Sequence, residues 1–179
     1  MARYADPVVP DVVRWVESSG GPLIAIPEAV LPFWAGADGD ETSSDYDRAC
    51  HVDGPAGLLP VGDTRALVLG DGPTPTAYLP EHGTFVRRHT ADAGVESAAG
   101  VLAEVPRALD AAAWEPEVEW RVPGPVVLFD AARPGDVSRL TDHVRVALEP
   151  GRYGVRAAYV STGPETGLGL VRVRPLTSG

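Results

Sequence analysis

Apolar residues in this chain fall in short runs, each closed off by glycine, proline or aspartate, which is the pattern of many short strands. The densest stretch runs from Val12 to Gly36. Val12, Val13, Trp15 and Val16 are strand-forming types, and Ser18-Ser19-Gly20-Gly21 can turn the chain because adjacent glycines accept positive φ. Leu23, Ile24 and Ile26 then predict a return strand, so a hairpin is expected. Pro27 suits a first helical position and Glu28 the positive end of a helix dipole. Pro32 should hold that helix to about two turns.

From Gly57 to Thr90 the pattern predicts a meander of Leu58–Val61, Ala66–Leu69, Thr76–Leu79 and Thr84–Arg87. Gly62-Asp63, Gly70–Pro73 and Pro80–Gly83 separate these runs. A helix is expected after Asp92, a suitable N-cap, since Val95, Ala98, Leu102, Val105 and Leu109 recur at three- and four-residue steps. Pro106 should end or break it, and its apolar stripe should cover one face of a sheet.

The last third reads as strand. Val118, Trp120 and Val122 alternate with Glu117, Glu119 and Arg121, which predicts one buried and one solvated face. Val126–Phe129 is apolar on both faces, as a central strand would be. Val144, Val146 and Leu148 alternate next, and Pro150-Gly151 fits the middle of a type II turn with glycine at positive φ. Tyr153, Val155, Ala157 and Tyr159 share one face, and Leu168–Val173 closes the pattern. The fold class expected is mainly β (α+β), with short antiparallel strands in sandwich- or barrel-like sheets and one or two covering helices. The boundaries predict a single domain over 8–176, or two β lobes, 12–90 and 116–175, joined by a helical segment 92–110.

Composition narrows the function classes. At 179 residues the chain can bury a core without staples, and the lone Cys50 leaves no intrachain disulfide. The opening MARYADPVVP is not a charged-then-apolar leader and no run is long enough to span a bilayer, so a cytoplasmic protein with no membrane partner is expected. Net charge is −10 and unevenly spread: residues 1–60 carry ten acids against three arginines, 61–120 ten against four, and 121–179 five against eight. That polarity disfavours a nucleic-acid partner, which needs a continuous basic face, and allows a cationic partner at the acidic end. All fifteen basic residues are arginine, a bias of codon usage that carries no mechanism.

Motifs for chemistry are sparse. Asp38–Asp47 reads as a solvated loop with five acids, Asp38, Asp40, Glu41, Asp45 and Asp47, and no base. Asp38, Asp40 and Thr42 echo a calcium loop, but Ser43 stands where glycine must turn it and Ala49 where a bidentate Glu is needed. His51, His82, His89 and His143 show no metal-ligand spacing, so no metal and no cofactor are expected. A nucleophile elbow and a phosphate-binding glycine loop are both missing. Glu115, Glu117 and Glu119 alternate as on the wet face of a strand; a carboxylate or metal hydrolase is the weakest reading. Trp114 is the best candidate for an exposed sugar-binding platform, the mark of a β-sandwich module for small ligands or carbohydrates.

Six stretches carry a family resemblance: Trp15 to Pro27 (WVESSGGPLIAIP), Asp45 to Cys50 (DYDRAC), Gly57 to Asp71 (GLLPVGDTRALVLGD), Gly124 to Asp130 (GPVVLFD), Pro150 to Val160 (PGRYGVRAAYV) and Leu168 to Leu176 (LGLVRVRPL). In this order they resemble the immunity protein 21 family of bacterial polymorphic toxin systems. The resemblance implies a non-enzymatic protein that binds and neutralises a cognate toxin in the cytoplasm, and it supplies no catalytic residues. An acidic surface would speed capture of a basic toxin, which makes Asp38, Asp40, Glu41, Asp45 and Asp47 the candidate docking residues.

Overall fold

Ile24 and Ile26 point to one side of their strand and Leu23 and Ala25 to the other, and all four are fully buried. A strand apolar on both faces needs cover on both. The computed structural model, which describes residues 13–38, 43–70, 72–90 and 98–177, shows what supplies it. In chain order the described strands are β1 (Trp15–Val16), β2 (Leu23–Pro27), β3 (Ala56–Val61), β4 (Thr64–Leu69), β5 (Thr76–Leu79) and β6 (Thr84–Thr90). After them come β7 (Val118–Val122), β8 (Val126–Asp130), β9 (His143–Val146), β10 (Gly151–Gly163) and β11 (Thr166–Pro175). Two helices, α1 (Asp45–Cys50) and α2 (Ala98–Ala111), lie among them.

The strands form two antiparallel sheets, a six-stranded one in the order β1-β5-β6-β11-β10-β7 and a five-stranded one in the order β3-β4-β2-β8-β9. Each sheet takes strands from both sides of the helical segment. Both are open, so the sandwich alternative holds and the barrel does not.

Three apolar clusters separate the layers. Leu23, Leu67, Phe85, Trp120, Leu128 and Val171 pack between the sheets. Ile24, Ile26, Trp34, Ala49, Val68 and Phe129 fill the outer face of the five-stranded sheet, under α1 and the 3-10 helix Glu28–Phe33. Val101, Val105 and Ala108 of α2 lie on Leu79, Val86, Leu168 and Leu170, on the outer face of the six-stranded sheet. Indole N–H groups tie layers together: Trp120 Nε1 donates to the Arg65 carbonyl at 2.9 Å, and Trp34 Nε1 to the Ala131 carbonyl at 3.0 Å.

Several expectations change. The hairpin at 12–26 does not form: β1 pairs with β5, whereas β2 pairs with β4 and β8 in the other sheet. The reason is the buried Asp130, whose carboxylate accepts from the Ser19 N–H at 3.0 Å, the Ser19 hydroxyl at 2.9 Å and the Ala132 N–H at 3.0 Å. That anchor carries the chain across from one sheet to the other instead of turning it back. The meander is likewise two hairpins in different sheets, β3-β4 and β5-β6. Buried Arg87 holds the crossing between them, donating to the carbonyls of Gly70 and Gly72 and to Thr76 Oγ1.

Pro27 ends β2, and the short helix that follows is 3-10 with Pro32 inside it. α2 continues through Pro106, which is exposed, because the helix buries the face of Val101, Val105 and Ala108 while Leu102 and Leu109 flank it. The expected start at Asp92 and Val95 lies outside the described residues. Gly151 is not at positive φ; it is the first residue of β10, which pairs with β7 and β11 rather than turning back on β9. Val118 is 48% exposed, since β7 is an edge strand, although Trp120 and Val122 are buried as the alternation required.

Candidate partner-binding surface

The acidic stretch is only partly a loop. Ser44 caps α1: its hydroxyl accepts from the Asp47 N–H at 3.1 Å, and the Asp47 carboxylate takes the Ser44 N–H at 3.0 Å in return. These reciprocal bonds satisfy two otherwise orphaned donors, which is why six mostly polar residues form a helix here. Hydrogen bonds from the Ser44 backbone and hydroxyl hold the Asp47 carboxyl below its ordinary range. Asp45 is also engaged, accepting from the Ala35 N–H at 2.8 Å and from Arg48 Nη1 at 2.8 Å, and Arg48 Nη2 reaches the Pro60 carbonyl at 2.7 Å. The Tyr46 N–H donates to the Gly36 carbonyl at 3.0 Å. Gly36 sits at φ +63, where a Cβ would meet the Ala132 carbonyl oxygen at 2.5 Å, so the chain can pass only as glycine.

Of the five candidate docking acids, Asp38 and Asp45 are thus held against Ala35, just after the 3-10 helix, with Asp47 in the same first turn of α1 as Asp45. Asp40 and Glu41 lie outside the described residues. Asp45 and Asp47 shape α1; Asp38 is exposed, and its carboxylate has no partner among the described residues.

Other candidate residues disperse. Trp114 is half-buried beneath Arg172, whose guanidinium carbon lies 4.1 Å from the ring centroid, so it offers no open face for a sugar. Glu119 forks onto Arg152 at 2.9 and 2.7 Å and takes Arg121 at 3.1 Å; the Arg152 hydrogen bonds, aided by Arg121, pull its carboxyl down to about 2. His51 lies 2.6 Å from the Asp47 carbonyl oxygen, and His89 packs edge-on against Tyr159 at 5.5 Å. Among the described residues no cluster of His, Cys, Asp or Glu could hold a metal ion.

A basic face was missed. Tyr153, Val155 and Ala157 of β10 point into the core, so Arg152, Gly154 and Arg156 point outward. Across the strands Arg152 pairs with Arg121, Gly154 with Glu119 and Arg174, and Arg156 with Arg172. α2 covers the other half of this outer face; on the arginine half the Glu117 carboxylate lies over Gly154 and Trp114 lies under Arg172. Arg156 is pinned to the carbonyls of Glu115 at 3.0 Å and Trp114 at 3.5 Å. Burial, with Arg174 and Arg156 close by, pushes the Arg172 guanidinium below its ordinary range, and Glu117 opposes the shift. The signal was present in the sequence as the alternation Glu119/Arg121, Arg152/Arg156 and Arg172/Arg174, in the third of the chain where arginines outnumber acids.

No curated protein and no solved structure matches this chain. The model of one family, Immunity protein 21, matches residues 14–166, from the strand before the Asp130 crossing to the start of β11. With most of its length inside that match, from β1 through β10, the chain belongs to the Immunity protein 21 family.

Proposed function

We propose that this protein binds a cognate bacterial toxin in the cytoplasm and neutralises it by occupying its surface, with no bond made or broken. The family match over 14–166 is the observation that carries this reading. The fold supports it physically. A sandwich with three packed clusters gives its surface a rigid backing, which lowers the entropy lost on association. The acidic end around Asp38, Asp45 and Asp47 would steer and hold a toxin with a basic surface. Asp38 is the best placed of the three, because its charge is not used to hold the fold.

The test is co-expression with the toxin domain encoded beside this protein, scoring growth and then co-purification. Rescue of growth with a recovered complex is the expected result. Full toxicity with no complex would end the proposal.

A further inference from the structure

In an antiparallel strand the N–H and C=O of one residue point to the same neighbouring strand, and successive residues alternate. The Ala157 carbonyl of β10 accepts from the Glu115 N–H, and the Arg152 carbonyl from the Leu176 N–H beyond β11. Gly151, Tyr153 and Val155 therefore direct their backbone groups at Val122, Trp120 and Val118 of β7, which leaves those of Glu119 and Arg121 facing away from the sheet. The Thr64 hydroxyl, 3.4 Å from the Arg121 carbonyl oxygen, shows the same direction. Among the described residues the Glu119 N–H and C=O and the Arg121 N–H have no backbone partner, since β7 is an edge. On that side a cleft of about 700 Å³ opens between β7 and the β3–β4 turn, with Val118, Glu119 and Arg121 on one wall and Pro60, Asp63 and Arg65 on the other.

We propose that the free edge of β7 takes an extended segment of the cognate toxin as an added strand, with small or apolar side chains directed into the cleft beside Val118. This rests on the toxin-binding reading above and adds the edge at which the toxin is held. The acids of the cleft, Asp63 and Glu119, are balanced by Arg65 and Arg121, so what a partner must match there is the row of backbone groups rather than a net charge. An extended polypeptide matches it, because one strand in register meets the Glu119 donor and acceptor and the Arg121 donor together. Glu119 is already forked onto Arg152, so its carboxylate is engaged while its backbone is not. Val118, 48% exposed, gives the added strand apolar surface to cover. Thr64 closes the ladder at the Arg121 carbonyl, which keeps the added strand short. A second copy of this chain fits less well, since two β7 edges related by a twofold would bring both β3–β4 turns into one gap. Other edges offer less: β1 has two residues, and β3 carries Pro60, which has no N–H to give. Both β7 and the β3–β4 turn lie within 14–166, the part of the chain that carries the family match.

The test binds the whole protein to the toxin domain encoded beside it, following backbone amide exchange by NMR and affinity by calorimetry. The Glu119 and Arg121 N–H groups should exchange about tenfold or more slowly in the complex than in the free protein. Glu119→Pro removes the outward donor without touching a bond to β10, and should weaken binding roughly tenfold or more. Glu119→Ala, which keeps the N–H, should lose far less. The exchange measurement on the unaltered protein decides the matter if Glu119→Pro melts early. A toxin complex with unchanged exchange at both amides, or equal affinity of Glu119→Pro and Glu119→Ala, would overturn the edge and leave toxin binding standing. No complex with the unaltered protein would end both. Protection of the same amides in a dimer of this chain alone would also overturn the proposal, by giving the edge to a second copy.

Discussion

The carboxylate of Asp130 accepts two hydrogen bonds from Ser19, one from the backbone N–H at 3.0 Å and one from the hydroxyl at 2.9 Å, across 111 positions of sequence. Through this pair β1 and β2 enter different sheets, so both sheets depend on it. Asp130→Ala would leave the Ser19 and Ala132 donors without their acceptor. Hydrogen bonds to a charged group are worth about 1.5–3 kcal/mol singly, but three that share one carboxylate do not add, so a total loss of about 2–4 kcal/mol is expected. For a chain of this size that lowers Tm by on the order of 10 °C, read by thermal or urea unfolding. A variant with unchanged Tm would show that the crossing is held by something else.

Gly36→Ala should destabilise the acidic end from the backbone side. The left-handed φ and the approach to the Ala132 carbonyl oxygen combine strain with a clash. A loss of about 1–3 kcal/mol is expected, with faster amide exchange in α1, whose Tyr46 N–H bonds the Gly36 carbonyl.

The Glu119 carboxyl should titrate near 2 rather than 4.5. A carboxyl with a depressed folded pKa contributes stability above its unfolded value and loses it as pH falls through the folded one. The contribution of this group is therefore complete above 4.5 and fades between there and about 2. It should be small, because the site is exposed and screened. Arg152→Gln removes the main cause and should raise the midpoint toward 4.5, which carboxyl-carbon NMR would follow directly.

Much of the architecture could be read from the pattern of side chains, for a reason visible in β2 and β8. Where both faces of a strand are apolar, as in Leu23–Ile26 and Val126–Phe129, no solution but a central strand buries them. Pairing partners were harder. Ser18 to Gly21 permits a hairpin locally, but the preference of Ser19 for Asp130 is a contact that no local window contains. α1 was hidden for the opposite reason: with Ala49 its only buried residue, it has no apolar stripe, and its signal is the cap at Ser44 and Asp47. The candidate docking acids were legible as charges but not as caps. The arginine face needed strand register, which places residues from β7, β10 and β11 side by side.

Capping and docking can be separated by substitution. Ser44→Ala should cost about 1 kcal/mol of stability through the lost cap while leaving the acidic charge intact. Asp38→Arg should leave the melt unchanged, because its carboxylate holds nothing in place among the described residues, yet slow association with a basic toxin several-fold at low salt. An unchanged rate and salt slope in Asp38→Arg would remove that end of the molecule from the encounter.

The central claim is neutralisation by binding, and the most direct measurement is a titration of purified protein into purified cognate toxin, with toxin activity and complex mass read on the same samples. The account predicts that activity falls in step with complex formation and is abolished once every toxin molecule is bound, with the toxin covalently unchanged and fully active again after the complex is separated. Toxin that stays active when saturated with this protein, or that is lost through covalent modification rather than through a complex, would contradict it.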